Sequence, residues 1–150
     1  MITYTYYLAY GMNTNLDSMK VRCPNAKSLG KVTLQDHRLV FKTFCDVELD
    51  LGNEMECALW LITEDCERSL DRLEGYPNFY GKKNVQIEWN GKTISAMIYY
   101  MKDLHGFNFP SEYYLKTVVA GYSQHDMNID AISQALDDLE RYKNANYIGV

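Results

Sequence analysis

The dipeptide Asn90-Gly91 constrains this chain more than any other short segment. Val85, Ile87 and Trp89 alternate on one side of it, and Ile94, Ala96, Ile98 and Tyr100 alternate on the other. Asn-Gly tolerates the positive φ angles of a type I′ turn, whose twist matches that of two paired strands. The segment therefore predicts an antiparallel hairpin with an apolar face that must be covered.

Other segments supply further strands and the cover. Ile2, Tyr4, Tyr6, Leu8 and Tyr10 alternate with Thr3, Thr5, Tyr7 and Ala9, which predicts a strand with two largely covered faces. It stops at Gly11, and a short helix is expected from Leu16 to Arg22, capped by Asn13, Thr14 or Asn15 and ended by Pro24 and Asn25. Strand material lies between Ser28 and Asp50, clearest at Arg38 to Lys42. Cys57 to Ile62 is nearly continuous in its apolarity and predicts a central strand. Thr63 caps a helix with Glu64 and Asp65 in its first turn, a buried stripe of Cys66, Leu70 and Leu73, and a stop at Gly75 and Pro77. Pro110 and Ser111 open a third helix carrying Leu115, Val118, Val119 and Tyr122. A last helix carries Ile129, Ile132, Leu136 and Leu139. Strands with interspersed short helices, and no regular βαβ alternation, predict an α+β fold. Its sheet is small, mixed, mostly antiparallel and barrel-like, and residues 1–150 form a single domain.

Composition narrows the function classes. Apolar residues make up 47% of 150 positions, enough for a packed core, and the net charge is −5. With no long basic stretch, neither nucleic acid nor an anionic membrane surface is an expected partner. No apolar run reaches the ~18 residues of a membrane span, and Met1-Ile2-Thr3-Tyr4 does not read as a signal peptide. A soluble, cytoplasmic protein is expected. Cys23, Cys45, Cys57 and Cys66 show no CxxC spacing, so four reduced, mostly buried thiols are expected. His37, His105 and His125 are scattered, which predicts no metal site.

Two places break local rules. Glu74 precedes Gly75 at the negative end of a helix dipole, where an anion is unfavourable by roughly 0.3–1 kcal/mol. Tyr76, Phe79 and Tyr80 follow it, and apolar surroundings would raise its pKa toward neutrality, as a proton shuttle requires. The plainer reading is a solvated acid at a helix end. The turn Tyr10-Gly11-Met12-Asn13, between a strand and a helix, aims several backbone N–H groups at one point and suits a carboxylate or phosphate. It has neither the GxxxxGK nor the GxGxxG pattern of nucleotide sites, and many such turns only turn the chain. Of 13 tyrosines, Tyr4, Tyr6, Tyr99 and Tyr100 read as sheet residues with surface-directed hydroxyls. Tyr80 and Tyr114, near element ends, could instead face a pocket.

These segments together resemble the γ-glutamylcyclotransferase superfamily, which includes AIG2-like and γ-glutamylamine cyclotransferase branches. Tyr10-Gly11-Met12-Asn13 is similar to its Tyr-Gly-Ser-Asn loop. Leu70-Asp71-Arg72-Leu73-Glu74-Gly75-Tyr76-Pro77, with Tyr80 and Lys82 beyond, resembles its Leu-Asp-x-x-Glu-Gly segment. Pro110-Ser111-Glu112-Tyr113-Tyr114, followed by Gly121, resembles its Pro-Ser-x-x-Tyr helix start. The resemblance implies a barrel-like domain with a pocket at one end. The loop Gly11, Met12 and Asn13 would hold the α-carboxylate of a γ-glutamyl substrate through backbone amides. Glu74 would move protons, and Tyr80 and Tyr114 would line the pocket. The implied reaction releases 5-oxoproline and an amine, without metal or organic cofactor. Met12 stands where the family usually has serine. A backbone site keeps its donors there, whereas a site that needs the hydroxyl would change in substrate choice or activity. A binding or regulatory module with the same pocket is the alternative reading. The leaving amine would be read by loops such as Lys102 to Phe109, and neither its identity nor the oligomeric state follows from the sequence.

Overall fold

The computed structural model describes residues 1–102 and 106–148, with side chains to residue 145. Residues 103–105, inside the loop expected to read the leaving amine, lie outside the described residues. The chain runs β1 (Tyr4–Ala9), a 3-10 turn (Met12–Thr14), α1 (Leu16–Arg22), β2 (Lys27–Lys42), β3 (Phe44–Thr63), α2 (Glu64–Glu74), β4 (Tyr80–Trp89), β5 (Lys92–Met101), α3 (Glu112–Gln124) and α4 (Asp130–Ile148).

The five strands form one mixed sheet in the order β2-β3-β1-β5-β4. β4 and β5 are the hairpin expected around Asn90-Gly91; the two turn residues have φ of 51° and 76°, and Trp89 pairs with Lys92. β1 lies in the middle, antiparallel to β3 and parallel to β5. Cys57 to Ile62 was expected to be central. It is interior, paired on both edges, and its burial explains its apolarity, but the middle place is taken by β1. It is also part of one long strand that begins at Phe44. The intervening Asp50-Leu51-Gly52-Asn53-Glu54 looks like a loop in sequence because that part of the β2–β3 hairpin extends into solvent, where Leu51 is 81% exposed. The sheet curls until its outer strands face each other across a cleft that includes Val32 and Ile87, with Lys83 Nζ 3.2 Å from His37 Nε2.

Local chemistry sets the helix ends. Asn15 caps α1 by accepting from the Ser18 N–H at 3.0 Å, and Thr63 caps α2 by accepting from the Cys66 N–H at 3.3 Å. Gly75, at φ 63°, ends α2 in the left-handed conformation, and the Tyr76 N–H returns to the Asp71 carbonyl at 2.9 Å. Ser111 caps α3. Three expected core positions are displaced. Leu73 is 45% exposed, because α2 buries only Cys66 and Leu70 at its sheet-facing centre. Val119 and Ile129 are also exposed. α3 turns Tyr114, Val118, Gly121 and Tyr122 inward, and α4 begins only at Asp130 and buries Ile132, Ala135 and Leu139.

The cysteine expectation is corrected for one pair. Cys23, at the end of α1, and Cys66, in the first turn of α2, form a disulfide across 43 residues, while Cys45 and Cys57 are free and buried. Nothing in the spacing reveals this pairing, because α1 and α2 become neighbours only when both dock on the sheet. With it goes the inference from cysteine usage to a reducing compartment. Replacing Cys23 and Cys66 together by serine is expected to reduce stability by about 2–4 kcal/mol, through the larger freedom of the unfolded chain. Thermal denaturation checks this, and an unchanged melting temperature would show that the bond contributes nothing.

Candidate functional site

The end of β1 is where the sheet, α2 and α3 converge, and they enclose a cavity of about 250 Å³. The loop after β1 supplies Tyr10, Gly11, Met12 and Asn13. α2 supplies Glu74, and Tyr80 and Tyr114 close another side, so all seven sequence-derived site residues border the one cavity.

The loop is held from several directions. The Thr14 N–H donates to the Gly11 carbonyl at 3.0 Å, the first bond of the 3-10 turn, which leaves the Met12 and Asn13 N–H groups ahead of any intrahelical acceptor. Trp60 Nε1 donates to the Asn13 carbonyl at 3.0 Å, and the Tyr122 hydroxyl donates to the Tyr10 carbonyl at 2.7 Å. Gly11 passes so close to the β2–β3 hairpin tip that a Cβ there would lie 2.9 Å from the Cys45 Cβ and 3.0 Å from the Tyr114 hydroxyl. Gly121 meets the loop from the other side, where a Cβ would lie 2.6 Å from the Asn15 nitrogen.

Glu74 hangs from the last position of α2 with its carboxylate turned toward the loop. Its Oε1 accepts from Asn13 Nδ2 at 3.2 Å, and the same nitrogen donates to the Tyr7 hydroxyl at 3.0 Å. Arg22, at the end of α1, donates to Asn13 Oδ1 at 3.2 Å and reaches the Met12 sulfur at 3.1 Å. Burial raises the Glu74 pKa to about 7, against the lowering effects of the Arg22 charge and the Asn13 hydrogen bond. At neutral pH this carboxyl is divided between its acid and its base form.

The two pocket tyrosines serve the wall. The Tyr80 hydroxyl donates to the Cys45 carbonyl at 2.8 Å, and the Tyr114 hydroxyl accepts from the Cys45 N–H at 3.0 Å. Together they pin the hairpin tip over the cavity. Tyr99, expected to reach the surface, is 2% exposed and borders the cavity instead. Its hydroxyl donates to Asp71 Oδ1 at 2.6 Å, and Asp71 pairs with Lys82 Nζ at 2.9 Å. This chain fastens the last turns of α2 to β4 and β5 and so fixes where Glu74 begins.

Sequence reasoning missed Tyr7, Tyr99, Arg22 and Cys45. Asp71 and Lys82 were visible only inside the quoted motif. Tyr7 lies in an alternating strand beside other covered residues and carries no local mark. Arg22 reads as an ordinary basic residue at a helix C-terminus. Among the described residues, no group of three His, Cys, Asp or Glu is arranged to hold a metal ion, and no helix is long and apolar enough to cross a membrane.

The mixed sheet and its short helices are the fold of a γ-glutamyl cyclotransferase-like class of domain. The family described as gamma-glutamyl cyclotransferase, AIG2-like, matches residues 7–116, and the chain belongs to it. A solved structure named gamma-glutamyl cyclotransferase superposes with a TM-score of 0.78 at 22% identity, covering 89% of this chain and 86% of that one. An uncharacterized protein from Homo sapiens gives 0.77 at 23% identity, with 88% and 86% covered. An AIG2-like protein from Mus musculus gives 0.55 at 18% identity, with 75% and 82% covered. These likenesses establish the fold. No curated protein sequence matches the chain.

The raised pKa of Glu74 has a consequence for stability. Its folded-state value lies above the ordinary carboxylate range, so folding favours the protonated form. That contribution is complete below about pH 4.5 and is lost as pH rises through about 7. Glu74→Gln, which cannot ionise, is therefore expected to gain stability relative to the wild type between those limits. Denaturant titrations of both proteins at pH 5 and pH 8 measure the difference, and an equal gap at the two pH values would place Glu74 in an ordinary solvated state.

Proposed function

We propose that this protein is a cofactor-independent γ-glutamyl cyclotransferase, converting a γ-glutamyl amine or γ-glutamyl amino acid into 5-oxoproline and a free amine. The observation that carries the reading is the contact between Glu74 and Asn13. An acid poised near neutral pH touches the loop that, by family resemblance, receives the substrate's α-carboxylate.

The substrate provides its own nucleophile. Its α-nitrogen attacks the γ-carbonyl carbon, a new C–N bond closes a five-membered ring, and the γ-amide C–N bond breaks. The α-ammonium loses two protons to become the lactam N–H, and the leaving nitrogen takes up two to depart as an ammonium ion. Glu74 as carboxylate accepts a proton from the attacking nitrogen and as carboxylic acid returns it to the leaving nitrogen. General acid–base catalysis of this kind contributes about 10²–10⁴ in rate. The backbone N–H groups of Gly11, Met12 and Asn13 hold the α-carboxylate, so Met12 in place of serine leaves the donors in position. Tyr10, Tyr80 and Tyr114 shape the wall that folds the substrate toward its ring-closing conformation, and such orientation is worth roughly 7–11 kcal/mol of the barrier.

Incubation with a panel of γ-glutamyl amines and γ-glutamyl amino acids is expected to yield 5-oxoproline, detected by mass spectrometry, from at least one member. Glu74→Gln is expected to lose at least ~100-fold in kcat. The acid limb of kcat/KM should fall near pH 7, the value burial gives the Glu74 carboxyl. Undiminished turnover by Glu74→Gln would remove Glu74 from this role. Tight binding of γ-glutamyl ligands without product from any of them would instead support a binding module.

A further inference from the structure

The cyclisation pushes electrons onto the γ-carbonyl oxygen as the ring closes, and nothing in the reading above neutralises that charge. An anionic tetrahedral centre in a partly closed cavity needs a hydrogen-bond donor aimed at its oxygen. Tyr80 and Tyr114 are poor sources, since the first spends its O–H on the Cys45 carbonyl and the second, which accepts from the Cys45 N–H, is also hydrogen-bonded with the Cys45 side chain.

The orientation of the Asn13 amide singles out another tyrosine. A guanidinium can only donate, so the atom that Arg22 approaches must be the Asn13 oxygen. The opposite end is therefore the NH₂ group, whose two hydrogens serve Glu74 Oε1 and the Tyr7 oxygen. Tyr7 thus accepts from Asn13 and keeps its own proton. Among the described residues, no acceptor takes a hydrogen bond from the Tyr7 hydroxyl, although the side chain is only 3% exposed and borders the cavity. Resting on the cyclotransferase reading, we infer that Tyr7 is a catalytic residue whose hydroxyl donates a hydrogen bond to the substrate's γ-carbonyl oxygen as ring closure makes it anionic.

The spacing suits this division of labour. The Tyr7 oxygen and Glu74 Oε1 are each one hydrogen bond from the same nitrogen, at 3.0 and 3.2 Å. In the scissile amide, oxygen and nitrogen share one carbon, so a donor to the oxygen and an acid for the nitrogen must be near neighbours, at most roughly 8 Å apart. Burial and the neighbouring Glu74 charge push the Tyr7 phenol further above its ordinary range, so it stays protonated beside a carboxylate that titrates. It stabilises charge without giving up its proton, and the proton transfers remain with Glu74. Arg22 acts as a positioning residue, since its bond to Oδ1 keeps the Asn13 amide from turning over and leaving Tyr7 facing an oxygen.

The test begins with the wild-type protein and whichever γ-glutamyl compound it turns over. Tyr7→Phe is expected to lose ~10²–10³ in kcat, the range for removal of one oxyanion donor, with KM within a few-fold of wild type. The acid limb of its pH profile should remain where the wild type has it, because Glu74 is intact. A loss confined to KM, or a kcat within threefold of wild type, overturns the inference and leaves the reaction assignment standing. Replacement of Tyr7 by difluorotyrosine preserves shape if phenylalanine compromises folding. The stronger donor is expected to change kcat by several-fold at constant KM, and an unchanged kcat again overturns the inference. A wild type that yields no 5-oxoproline from any compound overturns the reaction assignment and this role together.

Discussion

Asn13 is a buried residue whose side chain and backbone carbonyl together hydrogen-bond to four separate parts of the chain. Its amide donates to Glu74 at the end of α2 and to Tyr7 in β1, its oxygen accepts from Arg22 at the end of α1, and its carbonyl accepts from Trp60 in β3. In a cavity of low dielectric, an unsatisfied polar atom costs about 1–3 kcal/mol, so each of these bonds constrains the others. The amide can face only one way once the guanidinium is in place. The donation to Glu74 and the acceptor role of the Tyr7 oxygen both follow from that orientation.

The wall around this joint is aromatic for a mechanical reason. The tip of the β2–β3 hairpin projects over the end of β1, and two phenol groups capture the two backbone polar groups of Cys45 that would otherwise be buried without partners. A second anchor lies one residue further on. Asp46 is 2% exposed, pairs with Lys42 Nζ at 2.7 Å and accepts from the Met101 N–H at 2.8 Å, which ties the tip to β5. Isolated in that interior, either charge would be strongly unfavourable, and together they fix the register of the turn. The cavity is therefore bounded by elements that hydrogen bonding holds in place, so a substrate need not order them.

The proton chemistry depends on where α2 stops. Thr63 starts the helix and Gly75 ends it, and these local signals place Glu74 at the last helical position. The Lys82–Asp71–Tyr99 chain then clamps that last turn to the sheet. Burial pushes the carboxyl toward neutrality, while Arg22 and Asn13 keep it from rising further. A pKa set by opposing effects of this kind depends on the docking of α1 beside α2, which the Cys23–Cys66 disulfide fastens.

Much was legible in the residues alone because it is local. The Asn90-Gly91 hairpin, the caps at Asn15, Thr63 and Ser111, the break at Gly75 and the suspicious placement of Glu74 all depend on neighbours within a few positions. Propensity, capping and dihedral limits act at that range. Three motif-like segments also marked Gly11, Asn13, Glu74, Tyr80 and Tyr114 as belonging together. What lay beyond reach was set by tertiary packing: the disulfide over 43 residues, the inward turn of Tyr99, the outward turn of Leu73, and the engagement of Tyr7 and Arg22 with Asn13, which lies only six and nine residues from them. A tyrosine in an alternating strand looks the same whether its hydroxyl meets water or an amide. Only the tertiary structure decides, because the loop that brings the amide back onto the strand is held in its path by Trp60 and Tyr122, from distant parts of the chain.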